Sequence, residues 1–153
     1  MLQELIGKIW RKMPSSVRML AVRATQKTFT VSVGAIVTNE EGKVLLLDHV
    51  FRPASGWGMP GGFINEDEQP AEAARREIAE EIGLRIENIR LVGVRTIRRH
   101  VEILFRAEAS GEGAVKSAEI KSVKWFALDE MPEEMSRPQK EIIRQVLEGK
   151  NKG

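Results

Sequence analysis

Residues 61 to 84 read GGFINEDEQPAEAARREIAEEIGL, and this stretch restricts the fold more than any other. A pair of glycines leads into an acidic loop, then a proline, an apolar stripe and a closing glycine. Pro70 lacks an N–H that the first turn of a helix leaves free anyway, and Gly83 can take the left-handed conformation that ends one. The order predicts a helix from about Pro70 to Ile82. At 100° per residue with Glu77 as origin, Glu81 falls at about 40° and Glu80 at about 300°, inside one sector of about 100°. Ala71, Ala74, Ile78 and Ile82 fall between about 60° and 140°, an adjacent stripe that can pack on a sheet. The stretch holds seven carboxylates in 24 positions, and like charges at i, i+4 cost a few tenths of a kcal/mol per pair in water. Three helical glutamates alone are ordinarily a solvated face. A divalent cation reverses the sign of the repulsion. Oxygen ligands without His or Cys suit a hard ion, Mg²⁺ or Mn²⁺, which keeps waters and binds substrate phosphates.

Around this stretch the pattern is mostly that of strands. FTVSVGAIVTNEEGKVLLLDHVF has a β-rich run, a polar turn at Asn39–Gly42 and a second apolar run, which predicts a hairpin. RPASGWGMPGG follows as a loop dense in Gly and Pro. IRLVGVRTI, HVEILFRAEA and IKSVKWFAL alternate in strand fashion, and the chain closes with a helix that places Ile142, Ile143 and Val146 on one face. Strands with one helix between them and one after them predict a layered α/β domain with a mixed sheet. The expected division is an N-terminal helical extension over 1–28 and one domain over 29–153.

The chain has 153 residues and no cysteine, so disulfides, thiolate metal sites and cysteine nucleophiles are excluded. A reducing cytoplasm fits, and no apolar run reaches the ~18 residues that span a bilayer. The net charge of +2 is too small to imply a nucleic-acid partner. Its distribution is uneven. Lys8, Arg11, Lys12, Arg18, Arg23 and Lys27 stand against Glu4 alone in the first 27 residues. Leu2, Ile6, Ile9, Trp10, Met13 and Leu20 are interleaved with them, giving a basic amphipathic helix or pair broken at Pro14. Such a segment can dock on its own domain or on a second subunit, lie on a membrane surface, or serve as a transit peptide. Docking is the favoured expectation, because amphipathic helices mostly face a core. A homodimer is compatible with it.

Gly62, Glu68 and the run Arg76-Glu77-Ile78-Ala79-Glu80-Glu81-Ile82-Gly83-Leu84 stand in the spacing G-x5-E-x7-R-E-U-x-E-E-x-G-U, where U is apolar. This resembles the Nudix box of the Nudix hydrolases at every defined position, a coincidence expected on the order of once in a million such chains. WGMPGG and VKWFALDEMP extend the resemblance over roughly residues 29 to 149. It implies a Nudix-type α/β/α sandwich, a magnesium or manganese cofactor, and hydrolysis of a phosphoanhydride in a nucleoside diphosphate linked to another group. It implies metal ligands at Glu77, Glu80, Glu81 and the Gly61 carbonyl, with Arg76 and Glu68 steadying the turn and Gly62 and Gly83 shaping it. Asp67 stands where many members carry glycine, which bears on the loop's geometry.

The base that takes the proton from water varies within the family. Glu77 and Glu119 are the candidates, the latter six residues before Trp125. For substrate, Arg52 and Trp57 could contact phosphate and stack on a base. Arg95, Arg98, Arg99 and His100 form a basic cluster between two strands, with Arg98 the expected contact. His100 has no evident partner for catalysis. It occupies the place, sixteen residues beyond the box, where ADP-ribose pyrophosphatases carry proline. The absence of tyrosine argues against a dinucleoside-polyphosphate substrate. The alternatives are cleansing of oxidised nucleoside triphosphates, pyrophosphate removal from RNA 5′ ends, and a non-catalytic nucleotide-binding module. Retention of Glu77, Glu80 and Glu81 disfavours the last, and the missing cysteine disfavours an isoprenoid-diphosphate isomerase.

Overall fold

The computed structural model describes residues 1–52 and 55–149. Pro53 and Ala54 of the Gly/Pro loop and residues 150–153 of the expected domain lie outside them. Two helices, α1 (Leu2–Lys12) and α2 (Ser15–Thr25), precede the sheet. Pro14 separates them because it cannot continue a helix begun before it.

The sheet is mixed. Its central strand β1 (Thr30–Thr38) runs parallel to β6 (His100–Glu108) along its whole length. The hairpin turn forms where expected: the Asn39 side-chain oxygen accepts from the N–H groups of Glu41 and Lys43, and Gly42 takes a positive φ of 74°. Yet β1 and β2 (Val44–His49) pair only at their root, Thr38 with Val44. Beyond it β1 takes β4 (Gly61–Phe63) as its antiparallel neighbour. Strand β2 turns instead to β3 (Trp57–Gly58) and β7 (Ile120–Phe126). Strand β5 (Glu87–Ile97) forms the far edge beside β6.

Alternation along β1 and β2 feeds two cores, one on each face. Val33, Ala35, Val37, Leu45 and Leu47 meet Ala73, Ala74, Ile78 and Ile82 of α3 (Pro70–Ile82). Ile36, Val44 and Leu46 meet Met131, Met135 and Ile143, the last on α4 (Arg137–Leu147). Each fully buried Leu or Ile contributes roughly 1.5–3 kcal/mol relative to exposure. The layers are therefore helix, sheet, helix, the α/β/α sandwich expected. Gln69 and Glu72 cap the start of α3 reciprocally and Gly83, at φ 72°, ends it. The apolar stripe of α3 is wider than Ala71, Ala74, Ile78 and Ile82: Ala73, on the acid side, is fully buried as well.

Of the two docking places expected for the N-terminal segment, its own domain or a second subunit, the single chain shows no burial at the first. No residue of α1 or α2 is buried.

Candidate active site

Strand β4 carries the paired glycines across β1, with Gly61 opposite Gly34 and Gly62 opposite Val33. Gly61 has a φ of 152°, and a Cβ there would overlap the Val33 carbonyl oxygen. A Cβ on Gly62 would overlap the Glu77 carboxylate. Gly61 thus lets β4 lie close against the backbone of β1, and Gly62 brings bare backbone against the acidic flank of α3, where a side chain would hold the Glu77 carboxylate away.

The acidic loop is tied to the helix by a fork. Arg76 Nε donates to Glu68 at 2.7 Å and Nη2 donates to its other oxygen at 2.9 Å, while Nη2 also reaches the Phe63 carbonyl at 3.0 Å. Two parallel bonds fix angle as well as distance. The Arg76 hydrogen bond, then the Asn65 backbone N–H, lower the Glu68 pKa to about 2. Arg76 Nη1 also donates to Glu77 at 2.9 Å and to Glu80 at 3.2 Å.

Glu81 differs from its neighbours. It is 7% exposed on the sheet-facing side of α3, and its Oε2 has no hydrogen-bond partner. Burial, then the charge of Glu77, push its pKa up to about 7, against the pull of Arg52 and the Gly61 backbone. His49 Nδ1 lies 4.0 Å from its carboxylate. Burial and then Arg52 bring that imidazole down to about 4, so it is neutral at neutral pH. Glu119 is exposed, but its charge is felt at Glu81.

These residues suit a hard divalent cation. A buried, partnerless carboxylate oxygen beside a second carboxylate is a group that a cation stabilises, and Gly61 and Gly62 leave room for it. Among the described residues, however, no three His, Asp or Glu side chains converge into a ready metal cage. Arg76 holds Glu77 and Glu80, so ligation requires those two pairs to open.

On the α4 face a cleft of roughly 180 Å³ opens beside Gly61 and Gly62, lined also by Ser32, Arg52, Glu102, His100 and Gln139. Arg52 donates from Nη2 to the Met59 carbonyl at 2.9 Å, and its Nη1 is buried without a partner. Gln139 accepts from the Met59 N–H at 3.2 Å. A larger open cavity of about 980 Å³ beside Thr38, Gly83 and Arg106 contains none of the box carboxylates.

The other expected substrate contacts lie elsewhere. The Trp57 ring packs edge-on against Phe126 at 5.1 Å, within the α4-side core, instead of offering a stacking surface in the cleft. Arg98 is exposed in the two-residue turn between Ile97 and His100, at φ 57°, and does not line the cleft. Arg95 is paired with Glu102. His100 is held by two hydroxyls, Thr30 at 2.7 Å and Ser32 at 2.8 Å.

His49, Glu102 and Gln139 were not singled out from the sequence. For His49 a signal existed: it continues the Leu45, Leu47 alternation toward α3. For Glu102 and Gln139 none did, because the parallel pairing of β6 and the position of α4 bring them in.

The NUDIX domain family matches residues 28–146. A MutT-like protein of Streptomyces ambofaciens is 35% identical over 123 residues, 78% of this chain and 78% of that one. A MutT NUDIX hydrolase of Burkholderia pseudomallei superposes with a TM-score of 0.69 at 30% identity, covering 78% of this chain and 99% of the other. The NUDIX domain of Shewanella oneidensis NrtR, solved in complex with ADP ribose, gives a TM-score of 0.74 at 25% identity over 91% of this chain and 100% of the other. The chain spans 52% of one further curated relative and 39% of another.

Proposed function

The chain belongs to the NUDIX family over residues 28–146, and from that premise we propose that it is a divalent-metal-dependent hydrolase of nucleoside diphosphates linked to a second group. The observation that carries this reading is Glu81: a buried carboxylate with a free oxygen, held against the Gly61 backbone beside Glu77. Glu77, Glu80, Glu81 and the Gly61 carbonyl would hold Mg²⁺ or Mn²⁺. When bound, the ion neutralises phosphate charge and lowers the pKa of the attacking water. The protein's own part is positioning and proton transfer. Arg76 and Glu68 keep the glutamate-bearing turn in register, and Arg52, which lines the cleft, would turn its buried and unpartnered Nη1 outward to meet phosphate oxygens. Water oxygen bonds to one phosphorus as the bridging P–O bond breaks, its proton passing to the carboxylate of Glu77 or Glu119. The products are a nucleoside monophosphate and the phosphorylated second group.

A diphosphate-linked substrate is supported by the ADP ribose bound to the NrtR domain. The test is a turnover screen with Mg²⁺ and Mn²⁺ over nucleoside diphosphate derivatives, nucleoside triphosphates and 5′-triphosphorylated RNA, reading phosphate after phosphatase coupling. The reading expects the diphosphate derivatives to be hydrolysed best. Turnover confined to triphosphates or RNA would move the substrate class, and tight nucleotide binding without any turnover would make the chain a binding module.

A further inference from the structure

On a helical wheel Leu5, Ile9, Leu2, Ile6 and Trp10 of α1 occupy one sector of about 140°. They are exposed by 56, 54, 72, 56 and 40% respectively. Lys8 and Lys12 border that sector on one side, Trp10 borders it on the other, and Arg11 lies on the polar face with Glu4. Helix α2 adds Arg18 and Arg23, with Met19 and Leu20 exposed by 54 and 68%. Six basic residues against one acid in the first 27 positions exceed the charge of the whole chain, so the remainder is net negative.

We propose that α1, assisted by α2, lies flat on an anionic phospholipid surface. A narrow apolar face with an aromatic at its margin and lysines beside it matches the boundary between acyl chains and headgroups. The cations would sit at the level of the lipid phosphates, whose attraction falls off within a Debye length. Crossing the bilayer is excluded for α1: no helix among the described residues is long and apolar enough, and eleven residues reach only about 16 Å. Self-pairing of α1 is disfavoured, because an antiparallel pair sets Lys8 and Lys12 against their own copies and a parallel pair offers them only Gln3 and Gly7, with no acid at either margin. An RNA backbone would satisfy the cations but leave the apolar face in water.

The test uses the full chain. Co-sedimentation with vesicles of phosphatidylcholine, alone or mixed with phosphatidylglycerol, is measured at low and high salt, with sedimentation velocity and 5′-triphosphorylated RNA binding alongside. The expected result is binding to the mixed vesicles at least about tenfold tighter than to phosphatidylcholine and weakened by salt. Both I6D/I9D and K8E/K12E should abolish it while leaving melting temperature and hydrolysis unchanged, since these side chains are exposed and lie outside the box in the sequence. Equal or no binding to the two vesicle types would overturn the proposal. So would a dimer that I6D/I9D dissociates, with a second copy then covering the face. RNA binding that K8E/K12E removes and I6D/I9D spares, without vesicle binding, would overturn it in favour of nucleic acid.

Discussion

Burial and Glu77 raise the Glu81 pKa to about 7, whereas in the unfolded chain it titrates near 4.5. Between those values the folded protein keeps a proton that the unfolded chain has released. The stability contributed is therefore fully present below 4.5 and is lost as pH rises through 7. His49, whose pKa burial lowers to about 4, acts in the opposite sense over the same interval and adds stability as pH rises. The Glu81 share, at most about 3 kcal/mol, is therefore read in the metal-free protein as the difference in pH dependence between the parent and Glu81→Gln. From about pH 5 to about pH 8 Glu81→Gln should gain stability relative to the parent, and Mg²⁺ should raise the melting temperature of the parent protein at the higher pH but not that of the variant. The same substitution should cut metal-dependent turnover more than about 100-fold, since even partners of ligands cost 10–100-fold. Parallel pH profiles of the parent and the variant in EDTA would remove the basis for the assignment. Asp67 makes a second point at this scale. It occupies φ 61°, a left-handed conformation that non-glycine residues adopt at a cost. This accounts for the glycine that many family members carry there. Asp67→Gly should stabilise the fold by up to about 1 kcal/mol, the relief of strain partly offset by the entropy of the unfolded chain. Urea denaturation with an unchanged slope would measure it.

The loop–helix unit, residues 61 to 83, acts as one element because its two ends are tied. Gly61 and Gly62 pair with β1, while Arg76 clamps Glu68 and the Phe63 carbonyl from the helix. Lysine can replace the charge of Arg76 but not the fork. Arg76→Lys should therefore lower turnover by about 10–100-fold with a smaller change in melting temperature, and substrate affinity should change less than the maximal rate. Acid unfolding tests the same clamp. Glu68 is depressed from 4.5 to about 2, so its contribution is present above 4.5 and disappears as pH falls through 2. Glu68→Gln should flatten the acid limb of an unfolding titration in that window. An unaltered acid limb would mean that the clamp adds no stability.

Over the whole molecule, the two helical layers have separate duties. Helix α3 carries the acids and buries its stripe on one face of the sheet, while α4 closes the other face with Ile143 at 0% exposure. The same α4 supplies Gln139 to the cleft through the Met59 N–H. Ile143→Ala should cost about 2–5 kcal/mol. At temperatures where the variant stays folded it should raise KM more than it lowers kcat, because the cleft loosens while the box keeps its own core. Chemical denaturation and steady-state kinetics check the two halves. Loss of kcat with KM intact would show that the layers are not independent.

The amino-acid sequence determined the box, its helix limits, its clamp and the layered fold class. These depend on interactions a few residues apart: a proline start, a glycine stop, a 3.6-residue stripe, and Arg76 and Glu68 brought together by one loop. The tertiary structure alone decided which strand lies beside which, and through that the surroundings of the acids. Parallel pairing of β6 with β1 puts Glu102 and His100 beside the paired glycines, and the departure of β2 from β1 leaves β4 room to dock. Trp57 turned inward to Phe126 because the α4 layer covers that face. The helical period put Glu81 next to an apolar stripe, but its depth, and hence its raised pKa, depends on how closely α3 packs on the sheet. Long-range packing sets dielectric and neighbours, and no local pattern encodes either.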